Sequence, residues 1–255
     1  MTEINADQNT QKMRIAKYLS HAGLCSRRAA EDLIFEGRVC MNGKVLDTPA
    51  VKVGDEDTIE VDGKTISTDK NIRLFIAYKK RGLVTTHKDE KNRPTLFDSL
   101  PSELPRLISV GRLDMNTEGL ILLTNNGELA NYLESPETGW RRRYKARVYG
   151  NIDEKKISAL EKGLRIGQTR YGPIEMRMLP GKQGGAANSW AEITLREGKN
   201  REIRNVIEHL GGQVSRLIRL SYGPFQLGNL KPGDIREVPP KAVKEQLPDR
   251  FRNQI

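Results

Sequence analysis

The chain has 255 residues, a formal net charge of +10, a charged fraction of 30% and a hydrophobic fraction of 36%. That length suits one large domain or a small one beside a larger one, with enough apolar residues for a buried core. No apolar run approaches the roughly 20 residues that a spanning helix needs, which excludes an integral helical membrane protein.

The distribution of charge says more than its sum. Residues 1–70 hold 10 basic against 12 acidic side chains, and residues 71–255 hold 33 against 21. Within the first part, residues 12–44 hold 7 basic and 3 acidic groups, and residues 45–70 hold 3 and 7. Positive charge gathered in this way points to a polyanionic partner. Met1 to Thr10 lacks the apolar centre of a secretion signal. Residues 1–12 are therefore read as a disordered lead-in, and the cytosol is the expected location. Cys25, Cys40, His21, His87 and His209 show no metal-ligand spacing, so no metal site is expected. In a reducing compartment both cysteines read as small buried hydrophobes.

Arg14 to His21 has helical spacing, with Ile15, Tyr18 and Leu19 on one face. Ser26 is an N-cap candidate for a second helix, Arg27 to Glu36, stopped by Gly37. The turns Asn42-Gly43 and Asp62-Gly63 then predict two small hairpins. Arg27, Arg28, Arg38 and Lys44 form the basic face of this module, which ends near residue 66. Residues 67–72 read as a polar linker. Leu74 to Tyr78 is a predicted strand, Lys79-Lys80-Arg81-Gly82 a basic turn, and Leu83 to Thr86 extended again.

Gly111-Arg112-Leu113-Asp114-Met115-Asn116-Thr117-Glu118-Gly119 is the stretch around which the larger part is organised. It places a guanidinium and two acids directly before Leu120-Ile121-Leu122-Leu123-Thr124, an apolar run that reads as a strand buried on both faces. Charge beside a core strand costs several kcal/mol unless it is partnered or used. A short helix is predicted to end near Glu134. In Arg141 to Tyr149, Tyr144, Ala146 and Val148 alternate with Lys145, Arg147 and Tyr149, and a tyrosine among basic groups suits RNA. Asp153 to Leu164 reads as an amphipathic helix, and Gly181 to Asn188 as a flexible hairpin loop. Trp190 to Arg196 alternates as a strand, Lys199 to Leu210 is helical, and Val214 to Tyr222 is strand-like. Residues 239–255 read as a polar, peripheral tail. Many strands, few helices and frequent turns predict an α+β chain: a small N-terminal α/β module, then a mostly antiparallel mixed sheet over residues 73–238.

Residues 13–66, through Ser26-Arg27-Arg28-Ala29-Ala30-Glu31 and Gly37-Arg38-Val39-Cys40-Met41-Asn42-Gly43, resemble the alpha-L type RNA-binding domain found also in ribosomal small-subunit protein four. That resemblance assigns RNA-backbone contacts to Arg27, Arg28, Arg38 and Lys44. The larger segment resembles the RsuA-like branch of the pseudouridine synthases, which modify ribosomal RNA. The match runs through Lys79 to Gly82, Gly111 to Leu120, Arg143 to Val148, Arg196 to Arg204, Arg216 to Arg219 and Tyr222 to Pro224. One departure is Lys80, where the family usually has proline after its lysine.

The resemblance implies that uracil is detached from its ribose, turned and rejoined through a ring carbon, with no cofactor. Asp114 is then the carboxylate at the sugar, as nucleophile or as base. Arg204 is the arginine that pairs with it, and Tyr144 stacks on the uracil and relays a proton. Arg112 occupies the space vacated by the flipped nucleotide, and Leu217 lines the pocket. Lys79, Arg143, Lys199 and Arg201 complete the expected RNA contacts, and Glu118 reads as structural. The expected partner is ribosomal RNA, 23S ahead of 16S, for a monomeric enzyme. Alternatives are a small-subunit 16S synthase, a non-catalytic ribosomal RNA-binding or assembly factor, and a hydrolase using Asp114 on another glycoside.

Overall fold

The run from Leu120 to Leu123 is indeed the centre of a sheet. In the computed structural model, which describes residues 12–68, 71–150, 152–180 and 188–255, all eight residues of the strand Thr117–Thr124 are buried. The expected lead-in up to residue 11, linker residues 69–70 and loop residues 181–187 lie outside the described residues. The chain divides into two compact units between Asn71 and Ile72.

In the first unit, helix α1 (Ile15–His21) and helix α2 (Arg27–Phe35) bury Ile15, Ala16, Leu19, Ala30 and Ile34. Ser26 caps α2 by accepting from the Ala29 amide at 3.2 Å. Strands β1 (Val39–Met41), β2 (Lys44–Val45), β3 (Ile59–Val61) and β4 (Lys64–Thr65) pair in the order β2-β1-β3-β4. Both hairpins turn on two residues at positive φ, Asn42-Gly43 (52° and 78°) and Asp62-Gly63 (51° and 73°), the geometry that matches strand twist.

The second unit is built on one long mixed sheet. Its main strands are β5 (Leu74–Lys79), β6 (Thr117–Thr124), β7 (Arg142–Gly150), β8 (Ile174–Met178), β9 (Asn188–Leu195), β10 (Gly212–Tyr222) and β11 (Ile235–Glu237). Their spatial order is β8-β9-β7-β10-β6-β5-β11. Pairing is antiparallel except between β6 and β10, where Leu217, Ile218 and Arg219 run parallel to Thr117, Glu118 and Gly119. This is an α+β fold.

Successive side chains on a strand leave opposite faces, so β5 and β6 feed two cores. Phe75, Ala77, Ile121 and Leu123 join Tyr144, Ala146, Ile193 and Leu217 under the helix α3 (Glu202–His209), through Ile203, Val206 and Ile207. Leu74, Ile76, Leu120 and Leu122 face the helix Gly127–Glu134, with Leu129 and Leu133. Gly119 sits at φ 101°, and a Cβ there would lie 2.4 Å from the Arg219 carbonyl oxygen. The parallel approach of β10 to β6 therefore requires glycine at 119.

Several local expectations change. Lys79 ends β5, fully buried, instead of starting a basic turn. Leu83 to Thr86 is no strand and contributes one isolated bridge, Val84 to Thr95. The expected helix Asp153 to Leu164 is a single α-turn, Glu154–Ile157, then a 3-10 segment, Ser158–Lys162. Gly163 at φ 75° ends it, and Leu164 starts a short strand. The chain beyond Pro239 is no peripheral tail. It forms the helices Pro240–Gln246 and Asp249–Arg252, and Val243, Leu247 and Phe251, four residues apart, complete the second core. Both cysteines are half-buried, and neither is in a disulfide among the described residues.

Candidate active site

Every backbone carbonyl from Leu113 to Thr117 has a donor, which holds the loop ahead of β6 in one conformation. Thr85 Oγ1 donates to Leu113 O at 2.9 Å. The Gly82 amide donates to Met115 O at 2.8 Å, and Arg204 Nη2 to Asn116 O at 3.0 Å. The Lys79 ammonium donates to Thr117 O at 2.8 Å and to Asp114 O and Lys80 O at 3.1 Å each. Burial pushes Lys79 down to about 8, against the pull of Asp114 and Glu118, so it remains mostly charged at neutral pH. A loop pinned through its backbone leaves its side chains free for other work.

Those side chains open into a cleft of about 990 Å³. Of the residues expected from sequence, Arg112, Asp114, Tyr144, Lys199, Arg201, Arg204 and Leu217 all line it. Tyr144 and Leu217 are buried on neighbouring strands, and Arg112 is exposed at the rim.

Some expectations are not met by the geometry. Lys79 does not reach the cleft and cannot touch RNA from its buried position. Arg143 points to the opposite face of β7 from Tyr144, as strand alternation requires, and donates to Gln226 at 3.0 Å. The cation paired with Asp114 is Arg201, whose Nη1 stands 3.9 Å from Oδ2. Arg204 donates instead to Val214 O and Asn116 O, both at 3.0 Å, and its Nε is buried without a partner. Burial and the adjacent Arg201 pull the Arg204 guanidinium below its usual value, while Asp114 acts in the other direction. Arg201 reaches the carboxylate because its backbone, just before α3, adopts φ 50°. Helical spacing alone places it inside the helix.

In the first unit Arg27, Arg28 and Lys44 are exposed, and no ion pair to them is seen among the described residues. Arg38 is already engaged, with Nε and Nη2 on Asp62 at 2.9 and 2.7 Å and Nη1 on Glu36 at 3.0 Å. Glu118 is structural in its contacts: it accepts from Arg216 Nε at 2.7 Å and from Tyr78 at 3.1 Å.

Sequence reasoning missed two buried arginines that also line the cleft, Arg142 and Arg219. They stand 4.7 and 5.1 Å from the ring of Tyr222, and Arg142 Nη2 donates to its hydroxyl at 2.8 Å. The signal was present, since Arg142 lies two residues before Tyr144 and Arg219 two after Leu217, on the same strand faces. Glu197 and Glu202 were also missed, a carboxyl pair at the cleft margin. Among the described residues, no group of three or more His, Cys, Asp or Glu could hold a metal ion.

The family model for RNA pseudouridylate synthase matches residues 73–209, and that for the S4 domain matches residues 13–59. The chain is 44% identical to an uncharacterised RNA pseudouridine synthase of Rickettsia typhi, over 95% of this chain and 98% of the relative. It is 37% identical to ribosomal large subunit pseudouridine synthase B of Bacillus subtilis, over 94% and 98%. A crystal structure of a pseudouridylate synthase shares the fold, with a TM-score of 0.64 at 23% identity, covering 92% of this chain and all (100%) of that one.

Proposed function

Because this chain belongs to the RNA pseudouridylate synthase family, we propose that it isomerises a specific uridine of 23S ribosomal RNA, as a cytosolic monomer. The name of the Bacillus subtilis relative favours the large subunit. The observation that carries the reading is Asp114, one-third exposed on a backbone-pinned loop, facing a cleft that also holds Tyr144, Arg201 and Leu217.

The chemistry breaks the bond from the sugar's anomeric carbon to a ring nitrogen and makes one to a ring carbon. The ring carbon gives up its proton and the ring nitrogen released from the sugar takes one up, so atoms balance without a cofactor. Asp114 acts on the sugar, with the guanidinium of Arg201 beside its carboxyl. A uridine within structured RNA has to be extruded first, at a cost of a few kcal/mol. Arg112 at the rim fills the vacated space, Tyr144 stacks on the uracil and relays the proton, and Leu217 forms the apolar floor. Lys199, Arg201 and the exposed cations Arg27, Arg28 and Lys44 hold RNA backbone.

The test is carbodiimide mapping of ribosomal RNA from a strain lacking the gene, complemented with the wild-type chain or with Asp114→Asn. One 23S position is expected to regain its mark with the wild type only. A mark restored by Asp114→Asn rules out Asp114, and a mark confined to 16S rules out the large-subunit assignment. A non-catalytic binding factor would restore none.

A further inference from the structure

Glu197 and Glu202 form an unusual contact for a protein otherwise rich in complementary pairs. Glu202 is 3% exposed and opens α3. Its Oε2 accepts from the Lys199 amide at 2.9 Å, and the Glu202 amide returns to Lys199 O at 3.2 Å. Glu197 is fully engaged on both oxygens, by the Gly172 amide at 2.7 Å and by Lys199 Nζ at 2.6 Å. The other Glu202 oxygen, Oε1, is buried with no donor, while its side chain meets that of Glu197. As a carboxylate, Glu202 would bury a bare oxygen beside a second negative charge, an arrangement that is strongly disfavoured. As a carboxylic acid it has a hydroxyl to give, and Glu197 is there to accept it.

We propose that Glu202 keeps a proton up to near-neutral pH and donates it to Glu197, and that this shared proton holds the Gly198–Arg201 turn and so keeps Arg201 on Asp114. The turn links the pair directly to the Arg201 backbone at φ 50°, a conformation that persists only when its surroundings impose it. Glu202 is thus a positioning residue, acting through Arg201.

The groups around the pair fit this role. Lys199 neutralises Glu197 from their own loop. Arg142, on β7, has Nε 3.9 Å from where a Cβ of Gly198 would stand, but it is committed to Arg196 O and the Tyr222 hydroxyl. Tyr171, below Lys199 Nζ at 5.9 Å, accepts from Asn205. Arg201 and Arg204 lie beyond, toward Asp114. Burial, reinforced by Glu197, raises Glu202 to about 7. Loss of the proton on alkalisation then sets two carboxylates against each other and opens the turn.

The test uses the full chain and Glu202→Gln, whose neutral amide can still donate to Glu197 and accept from Lys199. A carbon-13 NMR titration of glutamate carboxyls is expected to show one resonance titrating near neutrality in the wild type and absent in Glu202→Gln. An unchanged set of titrations overturns the shared proton, whether or not the chain modifies RNA. The kinetic arm rests on the proposed function. Wild-type kcat relative to Glu202→Gln is expected to fall several-fold from about pH 6 to about pH 8.5, with KM for RNA little changed. A pH-independent ratio in an active enzyme overturns the link to Arg201. Inactive wild-type protein indicts the function itself and leaves the NMR result to decide the pair.

Discussion

Arg201 Nη1 stands 3.9 Å from Asp114 Oδ2, whereas Arg204, three residues further on, spends its guanidinium on two backbone carbonyls of neighbouring segments. One arginine faces the carboxylate and the other holds the loop that carries it. Both lie at the start of α3, so the helix sets the electrostatics and the shape of the site together.

That division predicts different outcomes for two alanine variants. Arg201 is half exposed at 52%, so Arg201→Ala should leave thermal stability unchanged. It should lower kcat about fivefold, corresponding to about 1 kcal/mol for a partly exposed pair. Arg204→Ala should lower both kcat and Tm, because it strips Asn116 O and Val214 O of donors at about 1–3 kcal/mol each. Calorimetry beside single-turnover kinetics separates the two, and equal Tm losses would contradict the division.

Lys79 predicts a purely structural defect. Lys79→Met keeps the buried stem but removes the donor shared by Lys80 O, Asp114 O and Thr117 O. The expected loss is about 3 kcal/mol or more in denaturant unfolding. A loss below about 1 kcal/mol would mean that the loop finds other donors.

Glu118 predicts an acid limb in stability. The hydrogen bond from Arg216 holds its carboxyl below the ordinary value of 4.5. A folded pKa lower than the unfolded one contributes stability that is fully present above the unfolded value. It is lost as pH falls through the folded value. Wild type and Glu118→Gln should therefore differ in unfolding free energy at neutral pH and converge in acid. A difference that persists after protonation would assign the effect to packing.

The first unit predicts a salt effect. Reversing Arg27 and Arg28 to glutamate should weaken ribosomal RNA binding and reduce the slope of log affinity against log salt by about 2, roughly one for each phosphate no longer neutralised. An unchanged slope would place the RNA-binding surface of this unit elsewhere.

Much of the fold was legible because local rules decide it. Ser26 caps a helix by its own side chain, Asn42-Gly43 and Asp62-Gly63 turn at positive φ, and Leu120 to Leu123 is too apolar for any place but a sheet centre. The misread elements fail for equally local reasons. Leu83 to Thr86 carries strand-forming residues but receives its hydrogen bonds from a loop, and Val243, Leu247 and Phe251 sit in a stretch whose composition hides their spacing. Arg142 and Arg219 were overlooked because charge on an inward strand position reads as an exception until its partner, Tyr222, is seen.

The amino-acid sequence by itself determined the α+β class, the central buried strand, and which loop carries Arg112 and Asp114, since each follows from periodicity and from residue types close together in the chain. Tertiary structure alone decided that Arg201 and not Arg204 faces Asp114, that Lys79 is a buried prop, and that Glu197 meets Glu202. Those relations depend on the φ of one residue and on the approach of strands far apart in sequence, and no local pattern records either.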